Sequence, residues 1–360
     1  MPANIARKAD GSAMFVNALI RPGDRSAWWD GDGKYNVRGA MTPKVALERS
    51  GLGYRVDRAP VYVRVGGKYV ADETHVALIR KDTHGVMGIV TPDYREVQNA
   101  VAVDIAYAIV GEAKGRKAKA AVATMGALGN GSRCFFTLDL TALGQLRVDR
   151  DPSRHETYLI GQWGHDGTSA LRYSLWDNRV VCQNTSAAAD AYGTREGVLA
   201  RLTHVGDMAE KVKEAQRILG FAEKAIRRHY EVMNALAAVA LPRNGALDKF
   251  LTAFGEELIP IPPEMERTAG REAARDAVKG IILHSPTLEG VPMNAYRVYS
   301  GVTEYADHYR PLRVADPNLV AERRVTQAIG AAGDLKAAAL DILTRKFEIA
   351  VPVPVLARSN

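Results

Sequence analysis

The chain has 360 residues, 47% hydrophobic and 25% charged, ordinary proportions for one large globular domain or two modest ones. Forty-eight Lys and Arg against 41 Asp and Glu leave a formal charge of +7, which suits a polyanionic partner. No run reaches the ~18 apolar residues of a membrane-spanning helix, and Cys134 and Cys182 lack disulfide-framework or metal-site spacing, so a reducing cytoplasm is the expected setting.

Residues 1–38 read as a Gly/Asp-rich lead-in carrying Trp28-Trp29. Its apolar stretch Ala13–Ile20 is broken by Asn17 and too short for a secretion signal. Thr42 as a cap, Pro43 at the first helical position and Gly51 beyond the end predict a short helix. A small β-meander follows: Val61–Val65, a Gly66-Gly67 turn, Lys68–Val70, Val76–Arg80, a turn at 82–85, and Val86–Val90. Thr91-Pro92 repeats the cap-plus-proline signal and predicts a helix from about Asp93 to Val110, with Val97, Val101, Ile105 and Ala108 on one face.

Two hairpins come next. Lys119–Met125 and Arg133–Leu140 flank a Gly-rich loop, 126–132, expected to be a long tip. Thr157–Trp163 and Thr168–Trp176 flank the turn His165-Asp166-Gly167-Thr168, and a helix is expected after Asn178, ending before Gly193. The predicted fold is therefore α+β: an antiparallel β-β-β(-β)-α core with an N-terminal β-meander and a C-terminal helical region. Residues 39–200 form the core and 201–360 the helical region. In the latter, 203–241 reads as one long helix whose seam runs from Val205 through Met208, Val212, Ala215 and Leu219 to Ile226. Ile259–Pro263 is a rigid break, and further helices are expected at 264–284, 294–309 and 332–347.

Charge is concentrated in the core. Residues 111–154 hold Lys114, Arg116, Lys117, Lys119, Arg133, Arg147, Arg150 and Arg154 against Glu112, Asp139, Asp149 and Asp151. Such cations attract phosphates regardless of sequence. Single strands also want flat faces for stacking, and strand alternation puts Arg172 and Trp176 on one face, with Arg179 just beyond. The bland readings, a solvated turn for Lys114–Lys119 and a helix-covered Trp176, carry about equal or greater weight.

No P-loop, nucleophile elbow, zincin or dinucleotide fingerprint occurs, since Gly33-Lys34 and Gly67-Lys68 are each followed by Tyr. Any action on DNA is thus expected to need no nucleotide motor. His165, Asp166, Cys182 and His204 can be read as a metal or acid–base cluster, which keeps a metal-dependent nuclease as the alternative. Turn and cap chemistry explains them more simply. An accessory protein docking through 203–241 is a further alternative.

Several blocks together resemble a phage- and plasmid-type family of unknown function. They are Gly39-Ala40-Met41-Thr42-Pro43, Tyr94–Asn99, the His-Asp-Gly-Thr turn with Ser169–Arg172, and Arg179–Thr185. Thr203–Asp207 and Asn294–Arg310 complete the set. The core of that family is similar to the Redβ, Erf and Rad type of single-strand annealing proteins. The resemblance implies ATP-independent binding and annealing of single-stranded DNA in recombination or replication, without cofactor or metal. It also implies homo-oligomeric rings or arcs, and a phage exonuclease or single-strand-binding protein as partner.

Overall fold

The computed structural model describes residues 5–20, 35–104, 121–141, 147–168, 171–179, 184–187, 198–202, 222–264, 268–312 and 332–350. It is a mixed α+β structure with two sheets. The N-terminal part begins with β1 (Phe15–Leu19), β2 (Asn36–Arg38) and α1 (Pro43–Ser50). In α1 the Thr42 hydroxyl accepts from the Val45 amide, Pro43 occupies the first turn, and Gly51 closes the end in the left-handed region at φ 78°. Each device was legible in the sequence.

A three-stranded sheet follows, β3 (Val56–Val65), β4 (Lys68–Arg80) and β5 (Gly85–Val90), all antiparallel. This is the expected meander, with one addition. The β3–β4 pairing slips between Pro60 and Val61, so Pro60 faces Val76 whereas Val61 faces Asp72. Strand β5 pairs only as far as Val76, and among the described residues Val61–Val65 with Lys68–Asp72 run on as a two-stranded arm.

Thr91-Pro92 does not open a helix. Residues 91–98 are irregular and helix begins at residue 99, and positions 105–110 of the expected helix lie outside the described residues. The carbonyls that would feed a first turn are already engaged: Arg58 donates to Pro92 O and Tyr94 O, both at 2.7 Å. The Gln98 amide pairs with both backbone groups of Val56 and holds the segment against β3.

Among the described residues the larger sheet has eight strands. Its central meander is β6 (Ala121–Leu128), β7 (Arg133–Asp139), β8 (His155–Gly164) and β9 (Leu171–Arg179), antiparallel throughout as expected. The β6–β7 tip is shorter than the Gly-rich composition suggests. Gly126 lies inside β6, where an added Cβ would stand 2.9 Å from both the Met14 carbonyl oxygen and the Phe135 ring. That glycine serves close approach, and only 129–132 turn. The lead-in contributes β1, which pairs with β6 on one side and in parallel with β2 on the other.

The expected helix after Asn178 is replaced over 184–187 by a strand, β10 (Asn184–Ala187), antiparallel to residues 176–179. A further strand, β11 (Val198–Leu202), pairs with 171–174, so two short strands share the outer edge of β9. An edge of unpaired amides and carbonyls offers short polar segments more hydrogen bonds than an isolated helical turn would.

Alternation gives the sheet two faces. Met14, Val16, Met125, Cys134, Phe136, Leu138, Leu159, Trp163, Leu171 and Tyr173 belong to the hydrophobic core. The core is closed by α1, packed on β6, and by 99–104, where the Tyr173 hydroxyl donates to Ala102 O at 2.8 Å. Asn17, Thr124, Thr137, Gln162 and Arg172 occupy the other face by register.

The helical region comprises α2 (Ala222–Ala238), α3 (Gly245–Leu258), α4 (Ala269–His284), α5 (Ala295–Glu304) with a π-turn at Tyr305–Tyr309, and α6 (Ala332–Lys346). The first nineteen positions of the expected 203–241 helix, 203–221, lie outside the described residues; α3 was not foreseen. Helix α5 is the hub: it packs on α2, α4 and α6, and both α5 and α6 reach β10. Among the described residues no helix is long and apolar enough to cross a membrane.

Candidate nucleic-acid interface

The turn after β8 is a structural latch. His165 is fully buried, and its amide donates to Ser132 O, tying the second hairpin's turn to the first. The Trp163 indole N–H, which can only donate, reaches Asn99 Oδ1 at 2.9 Å; that oxygen also accepts from His165 Nε2 at 2.9 Å. Asn99 Nδ2 completes the link by donating to Leu52 O at 2.9 Å. Beside it, Tyr54 donates to Gly131 O, lies 3.4 Å from the Cys134 sulfur, and carries the Arg80 guanidinium 4.4 Å above its ring. Burial pushes the Cys134 thiol up to about 12, outweighing the Tyr54 hydrogen bond and the Arg80 charge.

Asp166 closes the turn in the manner its position suggests, one oxygen accepting from the Thr168 amide at 3.0 Å. Its other oxygen takes Arg133 Nε at 2.6 Å. Burial of this carboxyl opposes ionisation, but the Arg133 and Thr168 hydrogen bonds prevail and hold its pKa below the usual carboxylate range. Arg133 is therefore committed to the latch. The meander also docks here: a Cβ on Gly88 would meet His165 O at 2.7 Å and the Asp166 backbone at 2.8 Å.

The cations singled out from sequence fall into separate groups. Lys114, Arg116, Lys117 and Lys119 lie outside the described residues, as do the side chains of Trp176 and Arg179, whose backbones belong to β9. Arg133 faces Gly164 at one end of β7, whereas Asp139, at the other end, faces Tyr158. Six residues at ~3.4 Å each separate these ends by about 20 Å. Arg147, Arg150 and Arg154 sit on the crossover beyond the far end, so the structure does not bring them to Arg133. Arg172 faces Gln162, half-buried, two register steps from Arg133, and position 176 falls on the same face by register.

Of the described cations in these groups, Arg147 and Arg150 of the crossover are exposed. Asn234 of α2 accepts from the Asp149 amide at 2.6 Å and donates to Arg147 O at 3.4 Å, pinning the loop to the helical region. Arg150 adopts φ 63°, a conformation uncommon for a non-glycine residue, and it and Arg147 are exposed. Among the described residues neither makes an ion pair, whereas Arg154 is bound to Glu156 at 2.8 Å. Under the loop, Asp151 Oδ2 accepts from the Tyr296 hydroxyl at 2.7 Å and lies 3.3 Å from His155 Nε2. This buried polar trio joins β8 to α5.

Among the described residues no group of three or more His, Cys, Asp and Glu is placed to hold a metal ion. His165 and Asp166 point into different contacts, and Cys182 and His204 lie outside the described residues.

A family model described as a domain of unknown function (DUF932) matches residues 86–329, more than half of the chain. No curated protein and no solved structure matches.

Proposed function

We propose that this chain, which belongs to the DUF932 family, is a single-stranded DNA-binding and annealing protein of phage or plasmid type that works without ATP. The observation that carries the reading is the crossover: Arg147 and Arg150 stand exposed, without an ion pair among the described residues, beside the contacts by which Asn234 holds the loop. Preorganised cations bind phosphates without losing loop entropy on contact, and they read no sequence. The likeness of the resembled family's core to annealing proteins of the Redβ, Erf and Rad type, and the basic segment around Lys114–Lys119, support the same reading. A strand gripped by its backbone leaves base edges open, so a complementary strand can pair with it. Subunits side by side, in rings or arcs, would keep the bound strand extended.

Binding of labelled oligothymidylate across a salt series tests this. Affinity should fall with log[salt] at a slope near −0.7 per neutralised phosphate. Arg147→Gln with Arg150→Gln should flatten that slope by about 1.4, two phosphates' worth. Mixing complementary oligonucleotides without nucleotide should then show accelerated pairing. Salt-independent affinity, or no acceleration, would overturn the reading.

A further inference from the structure

We infer that the β3–β4 arm is a base-stacking platform for single-stranded nucleic acid, a refinement that rests on the nucleic-acid reading above. The arm spans Val61–Val65 and Lys68–Asp72, and it projects past the last residue with which β5 pairs. At its root, Asp72 accepts from the Thr74 amide at 2.8 Å and meets His75 Nδ1 at 2.9 Å, closing a local turn across the slip in register.

Directly opposed residues on paired strands share a face, so the register sorts the arm's side chains. Tyr62 opposite Ala71 and Arg64 opposite Tyr69 make one face; Val63 opposite Val70 and Val65 opposite Lys68 make the other. Tyr62 is 57% exposed and Tyr69 is 74% exposed. An isolated two-stranded ribbon is marginal in water, and leaving two tyrosines and three valines in solvent gains nothing in the free protein.

Charge decides among occupants. The arm itself, Val61–Val65 with Lys68–Asp72, contains Arg64, Lys68 and one acid, Asp72, which the turn at the root engages. Arg58 is engaged near the root by Glu96 and two carbonyls, whereas Arg64 and Lys68 make no ion pair among the described residues. A second copy of the arm would set those like charges together. A polyanion with unpaired bases fits both halves of the face: Arg64 beside Tyr69 offers a phosphate contact next to an aromatic surface, and Tyr62 lies one step along. Base–aromatic stacking of this kind is indifferent to sequence, as annealing requires. A duplex keeps its bases stacked on each other and would use the cations alone.

The test measures oligothymidylate affinity and solution mass for the full chain and three variants. Tyr62→Ala with Tyr69→Ala should weaken single-strand binding roughly tenfold or more. Tyr62→Phe with Tyr69→Phe should bind as the parent does, because the ring is kept. Arg64→Gln, the cation on the tyrosine face, should flatten the salt slope by about 0.7. Duplex affinity should not respond to the tyrosine changes. If the parent binds and the alanine pair binds equally well, the arm is not a platform, while the proposed function stands. The same holds if the alanine pair changes only the mass in the absence of DNA, which makes the arm a subunit contact. Equal losses for the phenylalanine pair, or on duplex, overturn stacking. A parent chain that binds no strand overturns the function itself.

Discussion

Asn99 joins elements that are far apart in the chain through one side chain. Its oxygen receives Trp163 and His165, and its nitrogen reaches Leu52 O. Asn99→Leu would leave a buried indole N–H and a buried imidazole without that acceptor, at a cost of about 1–3 kcal/mol each. Thermal unfolding should show a lower midpoint with no change in oligothymidylate affinity; an unchanged midpoint would contradict the latch. Asp166 gives a pH signature. Its carboxyl is held below its unfolded value of about 4, so the stability it adds is present above that pH and fades as pH falls through the folded value. Denaturant midpoints of the parent and Asp166→Asn should differ at pH 6 and draw together as pH falls below about 4, and a gap that did not narrow in acid would refute the pairing with Arg133. Of this site the sequence displayed the turn chemistry of His165–Thr168, because an Asx turn is local. It concealed the partners, Asn99 and Arg133, because those contacts span 66 and 33 residues.

At the scale of elements, what could be read depended on whether the signal was carried within the segment. Helix α1 announces both ends through Thr42, Pro43 and Gly51, and the meander strands alternate around tight turns. The same Thr-Pro signal misleads at Thr91-Pro92, where Arg58 from a neighbouring strand takes the carbonyls. Strands β10 and β11 have little pattern of their own and exist through the open edge of β9. Gly88 belongs to this scale, since it sets how closely β5 approaches the turn after β8. Gly88→Ala would press a methyl into the His165–Asp166 backbone, which has no flexible end to yield. Overpacking of that kind costs about 1–3 kcal/mol. The expected outcome is a lower unfolding midpoint, with the meander's amides losing hydrogen-exchange protection before those of β7. Uniform protection across both sheets would show that the two do not depend on this contact.

For the whole molecule, the question is whether the sheet and the helical region behave as one cooperative body. Two buried polar contacts bear on it. Lys336 donates to Asp307 at 2.6 Å with both side chains almost fully covered, which fixes α6 to the π-turn after α5. Tyr296 at the start of α5 donates to Asp151 below the crossover that carries Arg147 and Arg150. The first contact is internal to the helices, whereas the second crosses from helices to sheet and lies beneath the loop proposed to contact phosphate. Tyr296→Phe keeps the ring in the core and removes only the hydroxyl, so the buried Asp151 carboxylate loses a donor at a cost of about 1–3 kcal/mol. Cooperative coupling predicts that amides of both β8 and α5 lose protection together by that amount. It also predicts weaker oligothymidylate binding, because a loosened crossover must be ordered on contact. Loss of protection confined to α5, with binding unchanged, would mean that the helices are an appendage and that the crossover is held by Asn234 alone.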